Sequence, residues 1–390
     1  MILKGVRVAM GANLSWQRDL IIRYGRISFS SKTRSTRVST LDLSGFMVLP
    51  GLVNAHDHLE FNLFPRLGRG PYPNAAAWAK DIYRPQEEPI AKHLQVPKPL
   101  RLWWGGLKNL LSGVTSVVHH NPYDPAVFDR DFPVRVIRRF GWAHSLAFSA
   151  DVVNCFRHTP SGAPFIMHAA EGTDEQSRRE IHCLKKAQVL RPSTVLVHGV
   201  AINSEDVDVL RSAGASLIWC PSSNLFTLGQ TLSPEVLHSG VPIALGSDSA
   251  LTAGGDLIDE IELASHYVNL GRVYGMVTGE AARILRLGEG QGMIQEGGFA
   301  DLLVVHAQNS TPAAALAGLR PELVFLKGQL KLISASLASH LRLNDLPGFE
   351  PVEIEGRGKW LVEAKVRSFV AATQRVLGED FCLAGRRVIA

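Results

Sequence analysis

The sequence predicts an α/β chain in which a parallel barrel of alternating strands and helices carries the chemistry and a smaller β unit from both chain ends flanks it. Three observations lead there. Four short apolar runs each end in metal-type side chains: Leu49-Pro50-Gly51-Leu52-Val53-Asn54-Ala55-His56-Asp57-His58, Pro164 to His168, Thr194 to His198, and Pro242 to Asp248. Loops and helical stretches trail these runs, the pattern of a barrel that collects functional residues at the carboxyl ends of its strands. The length, 390 residues, suits a barrel of about 250 residues plus a second, smaller unit.

In chain order, residues 1–49 read as β, with strand-like pieces at Gly5 to Met10, Asp19 to Ile22, Arg26 to Phe29, Arg37 to Leu41 and Phe46 to Leu49 between Gly, Asn and Ser turns. The His-X-His run follows. Successive strand side chains alternate, so His56 and His58 project the same way and form a chelate. For the pair alone, a histidine-bearing loop after a strand is the other reading. Residues 59–96 are rich in Pro, Gly and aromatics and read as a lid or substrate wall, or as a surface insertion packed by its own rings.

Pro99 to Leu111 reads as a helix ended by Ser112-Gly113. The next strand runs from Val114 to the adjacent His119 and His120; neighbours on a strand face opposite ways, and His120 or Asn121 is expected as a lining residue and not as a metal ligand. Val134 to Val136 and Ser145 to Phe148 are the candidates for strands three and four. Helices are expected at Asp151 to His158, Asp174 to Lys186, Ser204 to Ala213 with Ser204 as N-cap, Leu232 to Ser239, Asp256 to Val268 and Arg272 to Leu287, with a further strand from Gly214 to Trp219. Gly292 to Ile294, Ala300 to Val305 and Leu323 to Gly328 return to β and most simply pair with the N-terminal strands; Trp360 to Leu377 reads as a closing helix. The expected boundaries are 1–49 and 291–390 for the β unit and 50–290 for the barrel.

Hydrophobic residues at 46% and charged ones at 20% are ordinary for a globular chain. The net charge of +5 is spread without a basic run, which argues against nucleic acid or a membrane surface as partner and leaves room for a small-molecule or anionic substrate; a homodimer is the other partner expected. Cys155, Cys183, Cys220 and Cys382 show no Cys-X-X-Cys spacing, so neither a zinc knuckle nor a disulfide framework is indicated and a reducing cytoplasm fits. The N-terminus has no long apolar segment of the signal-peptide kind, and the uncharged stretch Ser212 to Pro234 is broken by Gly, Ser, Asn and Pro, so no membrane span is expected.

Imidazoles and a carboxylate suit Zn²⁺, with Fe²⁺ or Mn²⁺ as alternatives. A catalytic zinc lowers the pKa of its water from about 15.7 toward about 7, which makes a hydrolase the natural expectation. Such chemistry needs a proton shuttle, and Glu171, three residues past His168, is placed for it; the plainer reading is a carboxylate complementing the dipole of the following helix. Asp248 can serve as ligand, as base, or as both, unless it only caps a turn.

These residues, together with Val197-His198-Gly199, Cys220-Pro221-Ser222-Ser223-Asn224, Gly246-Ser247-Asp248-Ser249 and Gly297 to Val305, resemble the amidohydrolase superfamily over almost the whole chain. More narrowly they resemble the branch with guanine, methylthioadenosine and S-adenosylhomocysteine deaminases and the triazine hydrolases. The resemblance implies a distorted (β/α)8 TIM barrel with a small discontinuous β-sandwich made by both chain ends. It implies one metal ion on His56, His58, His168 and Asp248, Glu171 as proton shuttle, and His198 orienting or polarising the substrate. The binuclear relatives need a carboxylated lysine, and no Lys lies between Lys108 and Lys185, so one ion is the consistent count.

Leu59 to Arg66 departs from the pattern of adenosine-type deaminases, which bears on nucleoside recognition. The expected activity is hydrolysis of a non-peptide carbon–nitrogen bond, foremost deamination of a nitrogen heterocycle. Hydrolysis of a cyclic amide, lactam or carbon–halogen bond, and a catalytically silent scaffold, are the competing readings.

Overall fold

The computed structural model describes residues 1–30, 39–307, 310–343 and 346–389. Two parallel sheets position the site. β1 (Leu52–Asp57), β2 (Val114–His119) and β3 (Arg135–Val136) form one sheet, and β4 (Gly141–Trp142), β5 (Phe165–Ala169), β6 (Thr194–His198), β7 (Ser216–Trp219) and β8 (Ile243–Leu245) form a second. These strands read as near-continuous apolar runs because parallel sheets are covered on both faces, and every residue of β1, β2, β5 and β6 is buried. Among the described residues no ladder joins β3 to β4. β8 meets β1 through the amides of Ser247 and Asp248, which both donate to the His56 carbonyl at 3.0 Å.

Five helices matter for the site: α1 (Ala75–Ile82), α2 (Lys98–Leu111), α3 (Glu175–Lys186), α4 (Pro221–Leu228) and α5 (Leu257–Ala264). Their starts are set by local chemistry. The side chains of Asn74, Asp174 and Asp256 accept from the first-turn amides of α1, α3 and α5, and Pro221 opens α4 where no amide donor is needed.

The two chain ends meet in one twelve-stranded sheet. Its junction is the antiparallel pairing of Leu302–His306 with Phe46–Pro50, and Phe46–Pro50 runs almost directly into β1. Leu3, Val6, Val8, Leu20, Val48, Leu302, Val304, Leu323 and Phe325 pack together on this sheet. The expected pairing of C-terminal with N-terminal strands is therefore present, as one continuous path of strands. No helix of the described residues is long and apolar enough to cross a membrane.

Several expected elements differ. The fourth strand is Gly141–Trp142, paired with Phe165 and Ile166, whereas Ser145 to Phe148 form a turn held by Ser149 Oγ on the His144 amide and by Ser145 Oγ on the Phe148 amide. The closing helix begins only at Val366; Gly358–Glu363 is a strand, with Trp360 and Val362 buried at alternate positions. Gly292 to Ile294 is a turn, where Gly292 takes φ +74° and packs against Thr278. Asn203, not Ser204, caps its helix, in a reciprocal box with Asp206. The segment expected as one helix from Arg272 divides into Leu270–Met276 and Gly279–Ile284. Part of the strand expected at Arg37 to Leu41 lies outside the described residues, which show Thr40–Asp42 paired with Ile2–Ala9.

Candidate active site

The carboxyl ends of β1, β5, β6 and β8 bring His56, His58, His168, His198 and Asp248 to one place. His56 Nε2 stands 3.3 Å from His168 Nε2 and 3.8 Å from Asp248 Oδ1, and His58 Nε2 is 3.7 Å from the same oxygen. Two ligands in a tetrahedron around zinc, at bond lengths of about 2.0–2.1 Å, are separated by about 3.3 Å. The spacing fits a shared ion.

The tautomers fit as well. His168 Nδ1 donates to the His144 carbonyl at 2.8 Å, His198 Nδ1 to Asn224 Oδ1 at 2.8 Å, and His58 Nδ1 faces Asn121 Oδ1 at 3.3 Å. An acceptor on Nδ1 leaves the Nε2 lone pair for the centre, the usual arrangement for a metal-binding imidazole. Burial, followed by the neighbouring imidazoles, holds His56 and His168 well below the ordinary histidine range, so both rings are neutral at pH 7. Burial also works against the Asp248 carboxylate, but His58, His198, Ser223 Oγ and the Ser249 amide outweigh it and hold its pKa below the usual value.

Glu171 lies just past β5, with Oε1 3.4 Å from His198 Nε2. Burial pushes its pKa up to about 7, opposed by His198 and helped by Asp248 and Glu180. A carboxyl poised there can take and return a proton at neutral pH.

A buried web supports the ligands. Asp57, between the two histidines of β1, is fully buried and accepts from Lys108 Nζ at 2.9 Å, Asn109 Nδ2 at 2.8 Å and Asn62 Nδ2 at 2.9 Å. Lys108 Nζ also donates to Ser247 Oγ at 3.0 Å, which ties α2 to the ends of both β1 and β8. Behind α4, the buried carboxyl of Glu260 accepts from the Ser222 amide at 3.0 Å and from its hydroxyl. Burial pushes Glu260 up to about 8 despite these bonds, and it anchors the turn that carries Asn224. Three non-glycine residues at these strand ends adopt positive φ: Ala170 at 52°, His198 at 76° and Asp248 at 52°. Such conformations cluster where function dictates where a side chain points.

Above the centre lies a cavity of about 300 Å³ walled by Phe61, Trp78, Phe148 and Leu251, with Asn121, Ser249 and Thr252 as polar groups. Residues 59–96 supply part of that wall, because α1 is stapled to the loop after β5 by Ala75 N donating to the Glu171 carbonyl at 3.1 Å and Thr173 N to the Pro73 carbonyl at 2.8 Å. The helix within this segment carries a sequence signal, Asn74 followed by Ala75, Ala76 and Ala77, that the surrounding Pro and Gly obscure. His144, which no local signal in the sequence singles out, lies just before the turn at Ser145 to Phe148; its carbonyl holds His168 and its ring lines the cavity. His120 is buried inside the cluster, and Asn121 faces the cavity. A second cavity, of about 190 Å³, is lined by Lys108, Arg357 and Arg386; both guanidiniums pair with Asp259.

Parallel strands gather imidazoles and one aspartate at their carboxyl ends, with a buried carboxyl alongside, and residues 153–331 match the model of the amidohydrolase family. By sequence the chain is 26% identical to the 5-methylthioadenosine/S-adenosylhomocysteine deaminase of Haloquadratum walsbyi over 69% of this chain and 73% of that protein. It is 24% identical to the protein of that name from Pyrococcus furiosus over 78% of this chain and 86% of that one. Its fold is shared with an atrazine chlorohydrolase from Arthrobacter aurescens TC1, solved with zinc and atraton, at a TM-score of 0.72 and 16% identity over 96% of this chain and 99% of that one.

Proposed function

We propose that this chain is a metal-dependent hydrolase of non-peptide carbon–nitrogen bonds, an aminohydrolase that releases ammonia from a small nitrogen heterocycle. The single observation that carries the reading is Glu171, poised near pH 7 and 3.4 Å from His198, at the rim of the imidazole cluster. Its relatives named as deaminases support the reaction class. In this reading His56, His58, His168 and Asp248 hold one divalent ion, zinc foremost, in keeping with the 3.3–3.8 Å spacing of their ligand atoms and with the zinc-bound neighbour. The ion supplies Lewis acidity and a nucleophile at neutral pH.

The remaining work falls to the chain's own side chains. Glu171 accepts the proton of the attacking water and delivers it to the departing nitrogen. His198, its Nδ1 proton held by Asn224, turns Nε2 toward the centre and orients the substrate at the attacked carbon. Asp248, ionised and held by Ser223 and Ser249, orients the water as well as holding the ion. The aromatic wall favours a planar, uncharged ring, since among the described residues no Lys or Arg lines the cavity.

The same reading divides the chain at 1–49, 50–290 and 291–390, with the eight parallel strands as a distorted (β/α)8 barrel and the terminal strands as its β-sandwich companion. The bonds from Ser247 and Asp248 to the His56 carbonyl support closure on one side. The test is ammonia release by metal-loaded protein across purines, pyrimidines, pterins and triazines. Release from at least one of these classes is expected; silence across all of them with metal bound would overturn deamination in favour of ring-amide hydrolysis.

A further inference from the structure

The roles just assigned use four of the imidazoles crowded at the centre, and His120 is not among them. Its amide donates to the Asp57 carbonyl at 3.0 Å, which fixes its backbone beside the strand of His56 and His58. Its ring is fully buried, with its centroid 4.6 Å from that of His168, 5.0 Å from His56 and 5.9 Å from His58. Neither ring nitrogen makes a hydrogen bond of normal geometry among the described residues. The backbone of Ala143 is close enough to favour a proton on the ring, without reaching that geometry. A neutral imidazole has one N–H and one lone pair, and each costs about 1–3 kcal/mol when buried without a partner. Such a group calls for an explanation, and an ion is one.

Geometry supplies that explanation. One nitrogen each from His56, His58, His120 and His168 lie within 4.8 Å of one another. Two ligands on opposite sides of an ion are about 4.2 Å apart at metal–nitrogen lengths of about 2.1 Å. Small ring movements therefore bring all four onto one centre. We infer that His120 is a fourth imidazole ligand of the ion, which then sits in a cradle of His56, His58, His120 and His168 beside Asp248.

This rests on the metal-dependent reading given above and goes beyond its ligand set. Four neutral imidazoles leave most of the ion's charge uncompensated and favour metals that prefer nitrogen, such as zinc, iron, nickel or copper, over magnesium or manganese. If His120 were only a buried ring against Trp142, whose centroid is 5.4 Å away, removing its nitrogens would not touch the ion.

The experiment is zinc titration of the metal-free full chain against a chromophoric chelator, with X-ray absorption at the zinc edge to count imidazole rings. Wild type is expected to bind one ion with four rings. His120→Asn should leave three rings and bind about 100-fold more weakly or worse, since even the loss of outer partners typically lowers metal affinity 10–100-fold. His120→Phe keeps the ring's volume against Trp142 and should give the same result, so a folding failure of one variant leaves the question answerable. Three rings in wild type, with both variants binding as tightly, would overturn the inference and leave the metal reading intact. A wild type that binds no ion would overturn both.

Discussion

Replacing Lys108 with Met tests how far the site depends on its buried web. The Nζ is fully enclosed, 2.9 Å from Asp57 Oδ2, 3.0 Å from Asn62 Oδ1 and 3.0 Å from Ser247 Oγ. Removing one member of a buried ion pair typically costs about 3–5 kcal/mol, because the other charge stays buried. Asp57 keeps the amides of Asn62 and Asn109, which places the expected loss near the low end, about 3 kcal/mol, or roughly a hundredfold in the folding equilibrium. Urea unfolding followed by tryptophan fluorescence reads it. The double variant Asp57→Asn with Lys108→Met should recover at least half of the loss, since no uncompensated charge remains. A single-variant loss under about 1 kcal/mol, or a double variant no better than the single, would refute the account of Asp57 as a buried carboxylate neutralised by Lys108.

Glu171→Gln should lower kcat by about 10²–10⁴ while leaving bound metal unchanged, read by ammonia release and metal analysis. In wild type the base must be ionised, so activity should rise with pH toward about 7, at or below that value once a cation is near, and Glu171→Gln should lose this limb. Asn224→Ala removes the acceptor on His198 Nδ1 and should lower kcat about 10–100-fold, with KM nearly unchanged in steady-state kinetics. Ala170 and Ala169 are both buried, but only Ala170 has positive φ; Ala170→Gly should therefore be about 1–2 kcal/mol less destabilising than Ala169→Gly in the same urea assay.

The site was more legible than its frame because ligand chemistry restricts residue type at fixed strand positions. His56 and His58 announce themselves by alternation, and His168, His198 and Asp248 each close an apolar run. Alternation also placed one of His119 and His120 inward, and both prove buried for different reasons: His119 Nε2 meets Glu60 at 3.3 Å, while His120 joins the imidazole cluster. Burial outweighs the nearby carboxylate of Glu60, so the pKa of His119 is lowered to about 4. Val134 to Val136 was legible as a strand, whereas β4, two residues long, carries too little pattern to be read, and the apolar Leu146, Ala147 and Phe148 beside it imitate a strand. The Asp57–Lys108 and Ser222–Glu260 partnerships join residues far apart in sequence, so no local signal announces them.

The division of labour in the cavity bears on selectivity. Nearly every strongly polar group at the centre is engaged: Asp248 by Ser223, Thr252 and its neighbour's amide, His198 by Asn224, and Glu171 toward His198. What faces a substrate beyond them is mainly Phe61, Trp78, Phe148 and Leu251. A pocket that reads hydrogen bonds can reject a mismatched analogue by about 10⁴–10⁵, whereas an apolar one separates ligands by about 10–200-fold per methylene. Discrimination here should therefore follow ring size and shape. Among heterocycles of similar outline that share the leaving amine, kcat/KM should spread over no more than about two orders of magnitude. A steeper preference among isosteric rings would mean that Asn121, Ser249 or Thr252 reads the substrate directly, and substituting each of these with alanine would show which one.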